Sequence, residues 1–273
     1  MAEPTVYPLA MSSFESASSV EPESTGLFRA HIPDGWQQGR GAFGGLVLGT
    51  LARAILASEP DPLRTLRAFN GEVCGPVLPG PARVSVRILR RGKSLSNIEA
   101  TLDQGSDILV RASGIVAATR KAPVGVHAPT APAQPPWQDI APVAVEAPMG
   151  PVFARHYEYR CVGPWPFSGG SEPLAAGYIR EKVSPARLDV PAILGYLDAY
   201  WPAYLALVSA PVALATVSYT AELMTDPTAL DSQTPLFHIG RLTSHSDGFM
   251  VEMRELWSGP VLVALNQQTF AFI

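Results

Sequence analysis

The chain has 273 residues, of which 47% are hydrophobic and 16% charged, and its net charge is −4 at pH 7. This length suits one large domain or two ordinary ones, and the apolar content is enough for a sizeable core. Because no basic block is present, we expect no nucleic acid as a partner.

The cysteines and histidines argue against a metal site. Cys74 and Cys161 are too few for a disulfide framework, and the five histidines are scattered along the chain without zinc-ligand spacing. The sequence therefore predicts no metal and no cofactor.

The first 24 residues contain four Glu and no Lys or Arg, which is unlike a secretory signal. We interpret residues 1–24 as a loose N-terminal arm.

The apolar run Ala192–Val217 is long enough to span a bilayer. However, Asp198 and two prolines interrupt it, and strand-like sequence follows. We therefore expect a buried segment, no membrane insertion and a cytoplasmic protein.

Residues 25–120 form the first predicted unit. A short strand pattern precedes a glycine-rich turn, Gly39–Gly45, and an apolar helix over Leu46–Ala57. Strand patterns then follow one another with Gly and Pro signals between them. They cover Arg64–Val73, Ala82–Arg91, Ser96–Leu102 and Asp107–Arg120.

Residues 121–151 hold eight prolines and little periodicity, which indicates an interdomain linker. The second unit, 152–273, repeats the plan of the first. A strand is predicted over Val152–Val162, and a helix follows with Asp189 as N-cap and Pro191 in its first turn. Further strand patterns cover Val212–Met224, Pro235–Ser246, Gly248–Leu256 and Val261–Ile273.

The two units align without a gap at an offset of 153, which places Glu99 on Glu252 and Ile115 on Gln268. This repeat predicts an α+β fold of two tandem units, each with a central helix wrapped by an antiparallel sheet. We expect the two sheets to join edge to edge, because this protects an exposed strand.

The turn before the first helix matches GxGxxG literally, over Gly39–Gly44. A dinucleotide site also needs an apolar strand before the motif and alternating α and β elements after it, and both are missing. We interpret the turn as a tight start to the helix, in which Gly44 and Gly45 allow close backbone approach. Their amides are candidates to polarise a substrate carbonyl or hold an anion.

Asp198 is the one charged residue of the run Ala192–Val217. A buried carboxylate needs hydrogen bonds or a raised pKa, so it is a candidate for chemistry. Pro202, four residues on, predicts a kink there.

Gln268 lies in a polar triplet within the apolar last strand, and Thr216 begins the strand after the helix. The first helix has no carboxylate, so only the second unit carries acid, hydroxyl and amide.

Arg90 and Arg91 lie at a hairpin tip with Lys93. Such a tip is either a solvated basic turn or a binding site for ligand phosphates, such as those of coenzyme A.

These residues resemble the acyl-CoA thioesterase II family, which has a double hotdog fold. The similarity is seen in GLFR (26–29), Phe43–Gly45, LRRGKSLS (89–96), LGYLDAYWPAYLAL (194–207), ATVSY (215–219) and VLVALNQQ (261–268). The resemblance implies that Asp198, Thr216 and Gln268 are the catalytic residues.

The implied reaction is hydrolysis of an acyl-CoA thioester to a free acid and coenzyme A. Asp198 activates or orients a water, Thr216 and Gln268 position it, and amides near Gly44 and Gly45 bind the oxyanion.

Two alternatives stay open. One is a hotdog enoyl-CoA hydratase or dehydratase, which usually needs a His beside the Asp. The other is a non-catalytic acyl-CoA or lipid binding protein. We also expect a homo-oligomer.

Overall fold

The computed structural model describes residues 11–125, 128–146 and 149–273. Part of the predicted arm (1–10) and four positions of the predicted linker (126, 127, 147 and 148) lie outside the described residues.

Strands are the main regular secondary structure of the described chain. The first unit contributes β1 Val20–Ser24, β2 Leu27–Ile32, β3 Gln37–Gln38, β4 Gly41–Ala42, β5 Arg64–Val73, β6 Gly80–Arg91, β7 Leu95–Gln104 and β8 Asp107–Ala118. The second contributes β9 Tyr157–Cys161, β10 Leu174–Glu181, β11 Leu214–Leu223, β12 Leu236–Ser246, β13 Phe249–Ser258 and β14 Val261–Phe272.

Twelve of these strands form one sheet in the order β1-β2-β6-β7-β8-β5-β11-β14-β13-β12-β10-β9, and β3 and β4 pair separately. The two units meet where β5 pairs antiparallel with β11, with Ser218 opposite Glu72 and Glu222 opposite Ala68. The predicted edge-to-edge junction is confirmed. Neither strand of this pair is left with an unpaired edge.

Three α-helices lie among the described residues, α1 Phe14–Ala17, α2 Gly44–Ala57 and α3 Val190–Ala199. Helix α2 packs against β5, β6, β7 and β8, and it also packs along α3. Helix α3 contacts α1 and β13 as well. In the described part of the chain, no helix has the length and apolarity needed to cross a membrane.

The repeat is real, but its predicted offset of 153 is wrong by one residue. Ile98 of β7 lies opposite Gly114 of β8, whereas Glu252 of β13 lies opposite Gln268 of β14. The structural offset is therefore 154 (252 minus 98, and 268 minus 114). Because side chains alternate along a strand, a slip of one residue moves every side chain to the other face. Gln268 thus corresponds to buried Gly114, not to Ile115.

Several predicted elements differ locally. The first five residues of the strand predicted over Val152–Val162 form a 3₁₀-helix, Val152–His156, before β9 begins. Strand β10 was not predicted; its sequence, LAAGYIRE, is buried over most of its length and lacks the polar alternation of a half-exposed strand.

The linker is not a free tether where it is described. The centroid of the Trp137 ring lies 5.0 Å from the guanidinium carbon of Arg160 and 5.4 Å from that of Arg180. Val143 forms a β-bridge with Tyr159. The linker therefore packs against β9 and β10 of the second unit.

Helix α3 begins as predicted, because the Asp189 side chain accepts a hydrogen bond from the Ala192 amide and Pro191 lies in the first turn. The predicted kink is absent. The helix ends at Ala199 and Tyr200 is already extended. Proline at 202 removes the N–H that the Asp198 carbonyl would need and disfavours helical backbone just before it, so the helix stops.

The described part of the N-terminal arm is well packed. The Phe14 ring is fully buried, and it fills the space beside Gly49 of α2 and Gly195 of α3. The Phe14 amide donates a hydrogen bond of 2.8 Å to the carboxylate of Glu181, which is 3% exposed. The arm therefore fastens onto the crossing of α2 and α3.

We expect Phe14→Ala to lower the free energy of unfolding by about 3–5 kcal/mol, since it leaves a cavity where α2 and α3 cross. Urea unfolding measures this. Met11→Ala, at an exposed position in the same arm, serves as control and should change stability by less than about 0.5 kcal/mol. Equal effects of the two substitutions would mean that the arm does not brace the helices.

Burial raises the pKa of the Glu181 carboxyl from its ordinary 4.5 to about 7. The folded chain therefore binds more protons than the unfolded chain between these pH values. We expect the free energy of unfolding to fall by about 3 kcal/mol as pH rises through this interval. In Glu181→Gln this contribution to the fall should vanish, whereas Glu21→Gln, at an exposed position, should behave as wild type. Identical pH dependence in the wild type and Glu181→Gln would contradict the assignment.

Candidate active site

Asp198 is the second-last residue of α3, and it points at the first turn of α2. Its Oδ2 atom accepts a hydrogen bond of 2.6 Å from the Gly45 amide. A Cβ atom at Gly44 would lie 2.8 Å from the same oxygen. The carboxylate can therefore approach α2 this closely only because residue 44 has no side chain.

The two helix ends act on the Asp198 charge in opposite directions. The carboxyl end of α3 disfavours a carboxylate, whereas the amino end of α2 favours one. Burial raises the pKa of Asp198; the Arg254 charge, the hydrogen bond from Gly45 and the nearby Gln268 side chain lower it, and the net direction is upward. The Asp198 carboxyl therefore holds its proton more tightly than an exposed aspartate does.

Thr216 and Gln268 lie beside Asp198. The Gln268 side chain lies near enough to the Asp198 carboxylate to lower its pKa. The Thr216 hydroxyl donates a hydrogen bond of 3.4 Å to Gln268 Oε1. The structure thus brings together the three residues that the sequence analysis selected.

An irregularity in β11 gives Thr216 its direction. The register with β14 shifts between Thr216 and Ser218, while Tyr219 is fully buried. Strict alternation would put Thr216 on the face opposite Tyr219. The bulge turns it back toward the site, which is a common use of bulges.

A row of buried polar side chains underlies the site. We call it the polar ladder, and its members are Glu252, Arg254, Asn266 and Gln268, each at most 1% exposed. Gln268 Nε2 donates to Asn266 Oδ1 at 2.9 Å. At the same positions in the first unit stand Ile98, Ala100, Ala112 and Gly114, so only the second unit has a polar interior here.

Glu252, Arg254 and Asn266 were not selected from the sequence. In β13 the apolar residues Phe249, Val251 and Met253 alternate with Glu252 and Arg254, and period-2 counting places the apolar set in the core. The structure has the opposite arrangement, because Glu252 and Arg254 are buried whereas Phe249 and Met253 are exposed. The offset of 153 also concealed this by aligning Glu252 with Glu99, which forms ion pairs with Arg87 and Arg111.

Arg254 closes the end of α3. Its Nε atom donates to Glu252 Oε1 at 2.9 Å, and Nη1 donates to the carbonyls of Leu197 at 2.7 Å and Tyr200 at 3.3 Å. Glu252 Oε2 in turn accepts from the Ala203 amide at 2.8 Å. These bonds satisfy carbonyls that a helix end leaves free, and they fix the backbone on both sides of Asp198.

A cavity of about 100 Å³ opens beside these groups. Its polar wall includes Asp198, Thr216 and Arg254. The rest is mainly apolar and includes Val145 and Pro151 of the linker. Further lining residues are Phe153, Ala154, Tyr159, Tyr200, Trp201, Leu205 and Phe270.

The structure separates the predicted roles of the two glycines. The Gly45 amide already donates to Asp198, so it is engaged before any substrate arrives. No acceptor for the Gly44 amide is found among the described residues. Of the two, Gly44 keeps an amide that can serve a ligand.

Arg90 and Arg91 are not brought together with Asp198. Arg91 Nη2 donates at 3.0 Å to Glu59, which follows the carboxyl end of α2. The 14 residues of α2 put this point about 20 Å from Gly45. Arg90 lines a separate open depression of about 270 Å³ with Lys93 and Arg120.

Family models match both halves of the chain. One describes the acyl-CoA thioesterase N-terminal domain and matches residues 32–118, and the other describes the acyl-CoA thioesterase C-terminal domain and matches residues 126–272. The chain belongs to the acyl-CoA thioesterase family. The resemblance drawn from the sequence is thereby confirmed, and so is the expectation of an acyl-CoA thioesterase. A search of curated proteins finds no match to this chain.

Solved structures agree in fold. A hotdog protein from Alicyclobacillus acidocaldarius, whose function is described as unknown, is 22% identical with a TM-score of 0.86, covering 95% of this chain and 97% of its own. A protein described as a thioesterase II candidate from Thermobifida fusca is also 22% identical, with a TM-score of 0.82 and coverage of 97% and 99%. Acyl-CoA thioesterase II TesB2 from Mycobacterium marinum is 16% identical, with a TM-score of 0.77 and coverage of 96% and 98%.

His238 matters for the hydratase alternative. Its ring is fully buried and stacks on Tyr200, with the ring centroids 4.7 Å apart. Neither ring nitrogen has a hydrogen-bond partner among the described residues. No His–Asp198 pair of the kind that a hydratase needs is therefore formed in the described part of this family member.

We expect Gly44→Ala to lower kcat/KM for acyl-CoA hydrolysis by about 100-fold, because the added methyl group displaces the Asp198 carboxylate. A thiol-release assay measures this, and the melting temperature checks the fold. Gly75→Ala is the matched control, since its Cβ would meet only a Leu109 methyl group at 3.2 Å. Full activity of Gly44→Ala would show that the close approach to α2 is dispensable.

Proposed function

We propose that the protein hydrolyses acyl-CoA thioesters with a water molecule held by Asp198, Thr216 and Gln268. The observation that carries this proposal is their convergence beside one cavity, with Asp198 and Thr216 in its wall and Gln268 hydrogen-bonded to Thr216. A carboxylate, a hydroxyl and an amide offer one proton acceptor and two groups that orient a water.

Asp198 is the general base in this scheme. Its raised pKa makes the carboxylate a stronger proton acceptor than an exposed aspartate. The hydrogen bond from the Gly45 amide keeps the carboxylate in one orientation. Thr216 and Gln268 direct a lone pair of the water at the thioester carbon, which supplies catalysis by positioning.

The Gly44 amide, at the amino end of α2, is our candidate for the developing oxyanion. A helix start offers free N–H groups and a favourable dipole for negative charge. Collapse of the tetrahedral intermediate breaks the C–S bond and releases the free acid and coenzyme A.

We further propose the double hotdog form in its full detail, with each central helix wrapped by its own sheet. The units are residues 25–120 and 152–273, preceded by the arm 1–24 and joined by the linker 121–151. The acyl group enters between the two units, and the coenzyme A portion stays outside the cavity. Cytoplasmic location and a homo-oligomer remain predictions.

We expect Asp198→Asn to lower kcat/KM for acyl-CoA hydrolysis by about 1,000-fold, within the range that general-base catalysis contributes. Thiol release over a panel of acyl-CoA substrates measures this. Asp107→Asn, at an exposed position, is the matched control. Full activity of Asp198→Asn would sink the mechanism.

The same assay separates the alternatives. A hydratase would consume an enoyl-CoA without releasing thiol. A non-catalytic binding protein would bind acyl-CoA and turn over none of the panel. The separation of His238 from Asp198 favours the thioesterase over the hydratase.

A further inference from the structure

Three cationic side chains surround the open depression at the tip of the β6–β7 hairpin. They belong to Arg90, Lys93 and Arg120, and the depression has a volume of about 270 Å³. Ser94 and Asn97 line it as well, and its wall includes no carboxylate among the described residues. Because the whole chain has a net charge of −4, this local excess of positive charge is not a general property of its surface.

The three cations differ from most of the arginines around them, because no acidic partner is found for them in the described ranges. The neighbouring arginines of the same sheet are ion-paired: Arg83 with Asp103, Arg87 with Glu99, Arg91 with Glu59, and Arg111 with Glu99. The carboxylates of these strands are therefore already neutralised, and the positive charge of the depression is left for a ligand.

The strand register puts Arg90 in the wall of the depression and turns Arg91 away from it. Arg91 lies opposite the buried residue Ser96 and pairs with Glu59, whereas Arg90 lies opposite Asn97. Directly opposite side chains of an antiparallel pair stand on the same face, about 5 Å apart at Cβ. The Arg90 guanidinium and the Asn97 amide can therefore serve one ligand together.

The tip is held in place from beneath. The buried side chain of Arg64 donates hydrogen bonds from Nη2 to the carbonyls of Gly92, at 3.1 Å, and Lys93, at 3.0 Å. Arg120 Nη2 donates at 2.7 Å to the Ser94 hydroxyl oxygen, which leaves the hydroxyl proton for an outside acceptor. The donors are thus largely positioned before a ligand arrives, which lowers the cost of binding.

The chemistry of the wall limits the kind of ligand. Two guanidinium groups and an ammonium group supply positive charge, and a hydroxyl and an amide add neutral donors. A group with several charged oxygens matches such a set, and phosphate is the common one. The volume corresponds to roughly nine water molecules, so phosphate groups enter with room for bound water.

We propose that this depression binds the phosphate groups of a small phosphorylated molecule, at a site separate from the catalytic cavity. The inference does not depend on the proposed function, because it uses none of the residues near Asp198.

The position of the depression separates it from that cavity. Arg64, which holds the tip, also pairs with Glu59 beyond the carboxyl end of α2, whereas Asp198 lies at the amino end. The 14 residues of α2 put these ends about 20 Å apart. Ten of the 14 are buried, so the protein interior fills the direct path. The phosphates in the depression therefore belong to a molecule other than a substrate whose acyl group lies at Asp198.

Isothermal titration calorimetry with pyrophosphate at low salt tests the site. We expect one pyrophosphate to bind per chain, and Arg90→Gln and Arg120→Gln each to raise Kd by at least about tenfold, since each removes charge-assisted hydrogen bonds. Lys121→Gln is the matched control. Lys121 is exposed and adjacent to Arg120 but does not line the depression, so its Kd should change by less than about twofold. Melting temperatures check that the variants fold.

Two calorimetric results would overturn the inference. One is no binding of pyrophosphate to the wild type. The other is equal weakening by Lys121→Gln and Arg120→Gln, which would indicate diffuse attraction to a basic surface rather than a site.

Kinetics distinguish the source of the phosphates. We expect the KM for butanoyl-CoA to stay within about twofold of wild type in Arg120→Gln. A KM raised about tenfold would assign the depression to the nucleotide end of the substrate and would contradict a separate site. Absence of thiol release would refute the proposed function alone, because the calorimetric comparison needs no turnover.

Discussion

The hydrogen bond from the Gly45 amide to the Asp198 carboxylate joins the two halves of this molecule at the point where the chemistry is proposed. It brings the last turn of α3 against the first turn of α2. The rest of the site depends on this contact. Pro202 ends α3 directly after the acid, Gly44 leaves room for it, and the β5–β11 junction holds both units in one sheet.

In the second unit, the polar ladder occupies positions that are apolar in the first unit. The equivalent residues of the first unit, on the same face of its sheet, are Ile98, Ala100, Ala112 and Gly114. Burying Glu252 and Arg254 is unfavourable unless their groups are paired, and here they are paired with each other and with the backbone of the α3 end. These bonds fix the backbone around Asp198.

The tandem two-unit arrangement and the grouping of Asp198, Thr216 and Gln268 could be predicted from the sequence, and the catalytic role of the three residues is a proposal. Asp198 could be selected because it is the only charged residue of a long apolar run, and the family resemblance supplied Thr216 and Gln268 as its partners. The other polar residues of the site could be found only with the correct register between the two units. A single-residue error in the repeat exchanged inner and outer faces and hid Glu252 behind the surface residue Glu99. The bulge that turns Thr216 inward leaves no mark in the pattern of its strand.

The relative positions of residues that are far apart in the sequence also could not be predicted. The basic tip at Arg90 and Arg91 stays a predicted site for ligand phosphates, and its distance from Asp198 could not be predicted because it depends on which end of α2 each hairpin meets. Likewise, proline at 202 predicted a disturbance of α3, but whether the helix bends or stops is settled by the packing around it, including Arg254 on the carbonyls of Leu197 and Tyr200.

We propose that a thioester is attacked in the cavity beside the carboxyl end of α3 by a water held at Asp198. A crystal structure of the Asp198→Asn protein with a bound short acyl-CoA tests this most directly. The account predicts the thioester carbonyl in that cavity, with a water in hydrogen-bond reach of residue 198, Thr216 and Gln268. An acyl-CoA bound elsewhere, such as in the depression lined by Arg90 and Lys93, with the cavity unoccupied by the acyl group, would contradict it.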